Sequence, residues 1–213
     1  MHEEPNKMTS ETMRHDEKFM RNGYGSSGCW NFSKVSAQDI SLEDIELLSY
    51  SDTKPNDILN RHRAVHFFID NYRFESVYKN PEKNLNKLSQ YRFLISPDFS
   101  VYADMPRWRQ IESVAKSRWC GAYWQSKGLT VIPCISWSDT QSFDFCFDGI
   151  QKNATVAIGM NGCKHSRLGF LNGYNAMLKT LSPSNIICLG KPYPEMKGNI
   201  ISIKLADARK AVR

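Results

Sequence analysis

Residues 91–139 read YRFLISPDFSVYADMPRWRQIESVAKSRWCGAYWQSKGLTVIPCISWSD. The stretch opens on a β-favouring run, Arg92 to Ser96, and passes through a polar turn into a long amphipathic segment. In that segment Ile111, Val114, Ala115, Trp119, Ala122 and Tyr123 recur at the three-to-four spacing of one helical face. Pro106 stands near its start and Gly128 just past its end, where those residues punctuate helices. A second apolar run, Leu129 to Ile135, follows. Strand, helix and strand in this order outline a βαβ unit, because parallel strands need a crossover of this length. Each strand runs out into a polar segment carrying an aspartate, Asp98 and Asp139.

The same alternation extends in both directions. Upstream, Ala64 to Ile69 reads as a strand ending on Asp70, and Asn80-Pro81 opens a helix whose buried stripe is Leu85 and Leu88. Downstream come a short helix closed by Gly149, a strand over 154–160, and a helix carrying Leu171, Tyr174, Leu178 and Leu181. Strands over 185–189 and 200–203 complete the series. The fold class is therefore α/β, a mostly parallel sheet with flanking helices and right-handed crossovers. Strand order would decide between an open three-layer sheet and a partial barrel. Before residue 61, SLEDIELLSY (41–50) reads as a short helix capped by Ser41, and residues 1–28 as a polar, flexible N-terminal arm. The expected organisation is an arm and short helix over 1–60, one α/β domain over 61–205 and a basic tail over 206–213.

Composition narrows the class. With 41% apolar and 23% charged residues among 213, the chain is expected to bury a core rather than stay disordered. No apolar run approaches the ~20 residues that span a bilayer, and MHEEPNK at the N-terminus does not resemble a secretory signal. Six scattered cysteines without a CxxC pair fit a reducing, cytoplasmic compartment. The 28 Lys and Arg exceed the 22 acids, and the net charge of +6 tilts the chain toward polyanionic partners. DNA or RNA contacts are expected through the basic helix residues Arg109, Lys116, Arg118 and Lys127.

In parallel α/β architectures ligands bind beyond the carboxyl ends of the strands. That rule gathers Asp70, Asp98, Ser136, Trp137, Asp139, Asn161, Cys163, His165 and Lys191 on one rim. Asp70, Asp98 and Asp139 are candidates to hold Mg²⁺ or Mn²⁺, which take one or two carboxylates and leave other positions to water and phosphate. Catalytic roles fall to Asp98, Asp139, His165 as a general acid or base, and Lys191 as a phosphate contact. An aspartate after a strand is also an ordinary helix cap, and each of the three is explicable that way. No GxSxG, HExxH or finger-like Cys/His spacing is present. The leading expectation is a divalent-metal-assisted enzyme acting on nucleic acid or a phosphorylated small molecule. The alternatives are a non-catalytic nucleic-acid-binding or host-interaction module, and a small-molecule or carbohydrate enzyme.

Five motifs in sequence, FIDNYRFE (68–75), SPDFSVYADMP (96–106), SRWCGAYWQSKGLTVIP (117–133), SWSDTQSFDFCFDGI (136–150) and FLNGYNAML (170–178), resemble DUF4417. This is an uncharacterised domain family of bacteria, phages and mobile elements. The resemblance covers roughly residues 64–191. Asn71 stands where a second acid is expected, and Gln151 where a proline is expected. It implies a protein of a phage or mobile element and carries no catalytic assignment.

Overall fold

The computed structural model describes residues 9–163 and 166–208. Its framework is seven parallel strands in strictly sequential order. β3 (Leu47–Ser49), β4 (Ala64–His66), β5 (Phe93–Ile95) and β6 (Val131–Ile132) form one sheet. β7 (Val156–Gly159), β8 (Ile186–Leu189) and β9 (Ile200–Ile203) form the next. A parallel bridge between Cys134 and Ala157 carries the pairing from one to the other. The crossovers hold α3 (Ser76–Lys79) with α4 (Pro81–Leu88), then α5 (Arg107–Ser126), and α6 (Arg167–Leu181). The chain continues from β9 into α7 (Leu205–Ala208).

Side-chain alternation along the strands sorts the core into an inside and an outside. Leu48, Val65, Leu94 and Val131 pack outward against Val77, Leu88, Trp119 and Trp124. Val156, Ile158, Ile186 and Cys188 pack outward against Phe170, Tyr174, Met177 and Leu181 of α6. The alternate positions, Leu47, Ala64, Phe93, Ile132, Ala157 and Ile187 with Ile203 of the last strand, form a third cluster. That cluster takes in no residue of α3 to α6. An open doubly wound sheet covers both faces with helices; here one face is covered by the sheet itself. The sheet is therefore curled into a partial barrel. Among the described residues it is not closed by hydrogen bonds, since β3 and β9 are edges. Leu205 and Ala208 of α7 join the inner cluster near β3. A cavity of about 510 Å³ remains along this seam, lined by Leu47, Arg63 and Ile203 among others.

The segment before residue 61 departs from expectation. SLEDIELLSY contains no helix through Ser49: Leu47, Leu48 and Ser49 are the first strand, in register with Ala64, Val65 and His66. Short segments have weak helical preference, and pairing with β4 supplies both backbone partners and burial for three successive residues. Most of the expected arm is folded onto the body. β1 (Ser26–Ser27) and β2 (Phe32–Ser33) form an antiparallel pair, and the Val35 amide donates to the Gly149 carbonyl at 2.7 Å. The Arg21 guanidinium lies 3.9 Å from the Trp119 ring centre and 4.5 Å from that of Tyr78, with α1 (Ser10–His15) and α2 (Glu17–Met20) leading into it. From residue 64 onward the expected strands and helices are found in the expected order, except that the short helix expected to close on Gly149 is a 3-10 turn over Thr140–Asp144.

Candidate functional site

The carboxyl ends of β3 to β7 and the start of α6 surround a cavity of about 1000 Å³. Its wall is set by how the β5 and β6 exits are locked together. Ser96, fully buried, accepts the Cys134 amide on its Oγ at 2.8 Å and lies 3.3 Å from the Ser117 hydroxyl of α5. Pro97 then turns the chain, and Asp98 stands on the cavity wall.

Asp98, partly exposed on the wall, is a carboxyl shifted toward neutrality. Burial pushes its carboxyl from 3.8 up to about 6, against the opposing effect of hydrogen bonds from Ser136 and Cys134. Its Oδ1 is buried without a hydrogen-bond partner. Cys163 shares the wall, its thiol pushed up to about 11 by burial and then by the Asp98 charge. A carboxyl held near 6 by desolvation can give or take a proton near neutrality.

The β6 exit that brings Ser136 to Asp98 is held from below by Arg118. This guanidinium is 2% exposed and donates to the carbonyls of Cys134, Cys146 and Asp148 at 2.9, 2.6 and 2.9 Å. Arg118 therefore does not belong to a basic surface of α5, contrary to expectation. Its position, four residues from Val114 and from Ala122, places it in the buried stripe. On the same helix Arg109 and Lys116 both pair with Glu112, at 3.1 and 2.8 Å. Lys127 lies 5.5 Å from the Tyr123 ring centre.

Asp70 joins Asp98 on the wall, whereas Asp139 and Lys191 do not. Asp70 lines the cavity, with the Arg73 Nε 3.7 Å from its carboxylate. Its neighbour Asn71 accepts both the amide and the hydroxyl of Ser100, at 3.2 and 3.1 Å, and so ties the β4 exit to the β5 exit. An acid could accept the same bonds but would add a charge beside Asp70. Asp139 lies off the cavity wall. It caps the turn Thr140–Asp144 by accepting the Ser142 amide at 3.1 Å, and it meets Arg107 at 3.3 Å. The Arg107 guanidinium holds its carboxyl below the ordinary range. Lys191 is exposed and is not on the cavity wall. His165 lies outside the described residues. Among the described residues no group of three or more His, Cys, Asp or Glu side chains is placed to hold a metal ion. Asp139 is thus not placed with Asp70 and Asp98 as a donor for Mg²⁺ or Mn²⁺.

Several wall residues were not anticipated: Ser49 at the end of β3, Ser51 and Asp52 after it, Phe68 beyond β4, and Phe170 of α6. The first three were hidden by reading β3 as a helix. Phe68 owes its place to a missing side chain across the barrel, since a Cβ on Gly159 would stand 2.8 Å from its ring.

A sequentially ordered parallel α/β sheet, curled and open at its carboxyl rim, is the class of protein these features define. Within that class the chain belongs to a family: residues 24–206 match DUF4417, a domain of unknown function. Over 131 residues the chain is 43% identical to the Gene 1 protein of Mycobacterium phage D29, covering 60% of this chain and 48% of that protein. It is 41% identical over 131 residues to the Gene 1 protein of Mycobacterium phage L5, covering 60% of this chain and 57% of that protein. The match therefore spans about half the length of these curated relatives. No solved structure matches.

Proposed function

We propose that the chain is an enzyme acting on a small polar molecule held in the carboxyl-end cavity, with Asp98 as its general acid and base. One observation carries the reading: a carboxyl poised to titrate near 6, on the wall of a cavity of about 1000 Å³. Perturbed carboxyls of this kind concentrate at sites of proton transfer. Ser136 orients the carboxyl, and Arg118 positions the strand exit that carries Ser136. Burial of Arg118 and the engagement of Arg109 and Lys116 with Glu112 favour a small molecule over a nucleic-acid strand laid along α5. The phage origin of the similar proteins fits a role in a phage or mobile element.

The test is a panel of chromogenic glycosides, esters and phosphodiesters offered to the purified protein across pH 4 to 9. The expected result is turnover of one class, with a limb of the pH–rate profile near 6 and a loss of roughly 100-fold or more in Asp98→Asn. Turnover that survives Asp98→Asn unchanged would remove the acid–base role.

A further inference from the structure

The composition of the same cavity bears on what it binds, and the inference rests on the reading just given. Among the described residues its wall carries three acids, Asp52, Asp70 and Asp98, against one base, Arg73. The guanidinium of Arg73 is already 3.7 Å from the Asp70 carboxylate. Among the described residues this balance is acidic and disfavours a phosphate. The uncharged polar groups are mostly hydroxyls, those of Ser49, Ser51, Ser100, Ser136, Ser138 and Ser166, joined by Tyr102, the Asn161 amide and the Cys163 thiol. A hydroxyl both donates and accepts, so a wall of them suits a ligand whose own groups do both.

Aromatic faces complete the wall. The Trp137 ring centre lies 5.1 Å from that of Phe170. The indole is seated tightly on α6, where a Cβ on Gly173 would come within 2.1 Å of its Nε1. Tyr102 is 60% exposed at the cavity mouth, leaving ring surface open to a ligand. Asp98 lines the same wall and offers a carboxyl that accepts from a ligand donor.

We propose that the cavity takes an uncharged, polyhydroxylated ring compound, a free sugar or a nucleoside, in preference to its phosphorylated form. Ring faces would stack on Tyr102 and Trp137, and one ligand hydroxyl or ring N–H would donate to Asp98.

The test uses matched pairs with the full chain at pH 7: glucose against glucose 6-phosphate, and uridine against uridine monophosphate. Saturation-transfer NMR detects binding and calorimetry measures it. The expected result is saturable binding of the uncharged member of at least one pair, with the phosphorylated member weaker by roughly tenfold or more. Which pair responds separates a sugar ligand from a nucleoside. Tyr102→Ala, a change at an exposed position, should weaken binding roughly tenfold while leaving the circular dichroism unchanged. Tighter binding of a phosphorylated member, absence of binding by both pairs, or indifference to Tyr102→Ala would each overturn the ligand class. Asp98→Asn separates the two readings, because it should lower turnover roughly 100-fold or more while the ligand, which finds an acceptor in Asn, still binds. Binding that holds alongside turnover unaffected by Asp98→Asn would sink the acid–base role and leave the ligand class standing.

Discussion

Replacing Asp98 by Asn should stabilise the protein at neutral pH, and the gain should vanish in acid. The carboxyl is raised from 3.8 in a free chain to about 6 in the fold, chiefly by burial. Between those values the native state binds a proton that the unfolded chain has released. Stability therefore falls as the pH rises from about 4 through about 6, and it levels off above. A shift of about two pH units corresponds to roughly 3 kcal/mol. Asn has the shape of the neutral acid and keeps an acceptor for the Ser136 hydroxyl, so the variant escapes the penalty. Urea denaturation at pH 8 should show Asp98→Asn more stable than the parent by up to about 3 kcal/mol. For a chain of this size that is a rise in Tm of roughly 6–12 °C. At pH 3.5, where the carboxyl is protonated in the fold and largely so in the free chain, the two should nearly coincide. A difference independent of pH, or a variant less stable at pH 8, would refute the claim that the fold holds this carboxyl desolvated. Gain of stability on loss of a charged group is also the signature expected where a site trades stability for chemistry.

Three further outcomes follow from the contacts around the cavity. Arg118→Met leaves the carbonyls of Cys134, Cys146 and Asp148 without their donor; urea titration should show a loss of roughly 3–5 kcal/mol, and a cost under about 1 kcal/mol would contradict the clamp. Gly173→Ala forces the Trp137 indole off α6; a cost of roughly 1–3 kcal/mol is expected, with a shift in tryptophan emission. Asp139→Ala removes a cap and a partner of Arg107 and should cost about 1 kcal/mol at neutral pH. Because the Asp139 carboxyl is held below its ordinary range, that contribution is present above the unfolded value and is lost as the pH falls through the folded one. A series of denaturation curves from pH 7 to pH 2 checks the sign.

The helices and inner strands were legible because their signals are local. Pro106 and Gly128 bracket α5 closely, and Pro81 starts α4 as its fixed φ requires. Curling of the sheet was not legible, since strand order and the shared burial of Leu47 with Ile203 are tertiary facts. β3 was missed for the same reason: a three-residue strand exists by virtue of its partner, and alone it carries no period. At the rim, Asp98 and Asp139 look alike in sequence, each following a strand and standing beside serine or proline. What separates them is desolvation at Asp98 and the Arg107 guanidinium at Asp139. Arg118 did leave a trace. A single cation lying between Val114 and Ala122 on the apolar stripe signals a buried guanidinium that needs several acceptors.

Carbon-13 NMR of the carboxyl groups, with Asp98 assigned through the Asp98→Asn spectrum and followed from pH 3 to pH 9, addresses the central claim most directly. This one aspartate is expected to titrate near 6, well above the Asp139 carboxyl. A midpoint near 4 for Asp98 would mean a solvated carboxylate and no acid–base site in the cavity.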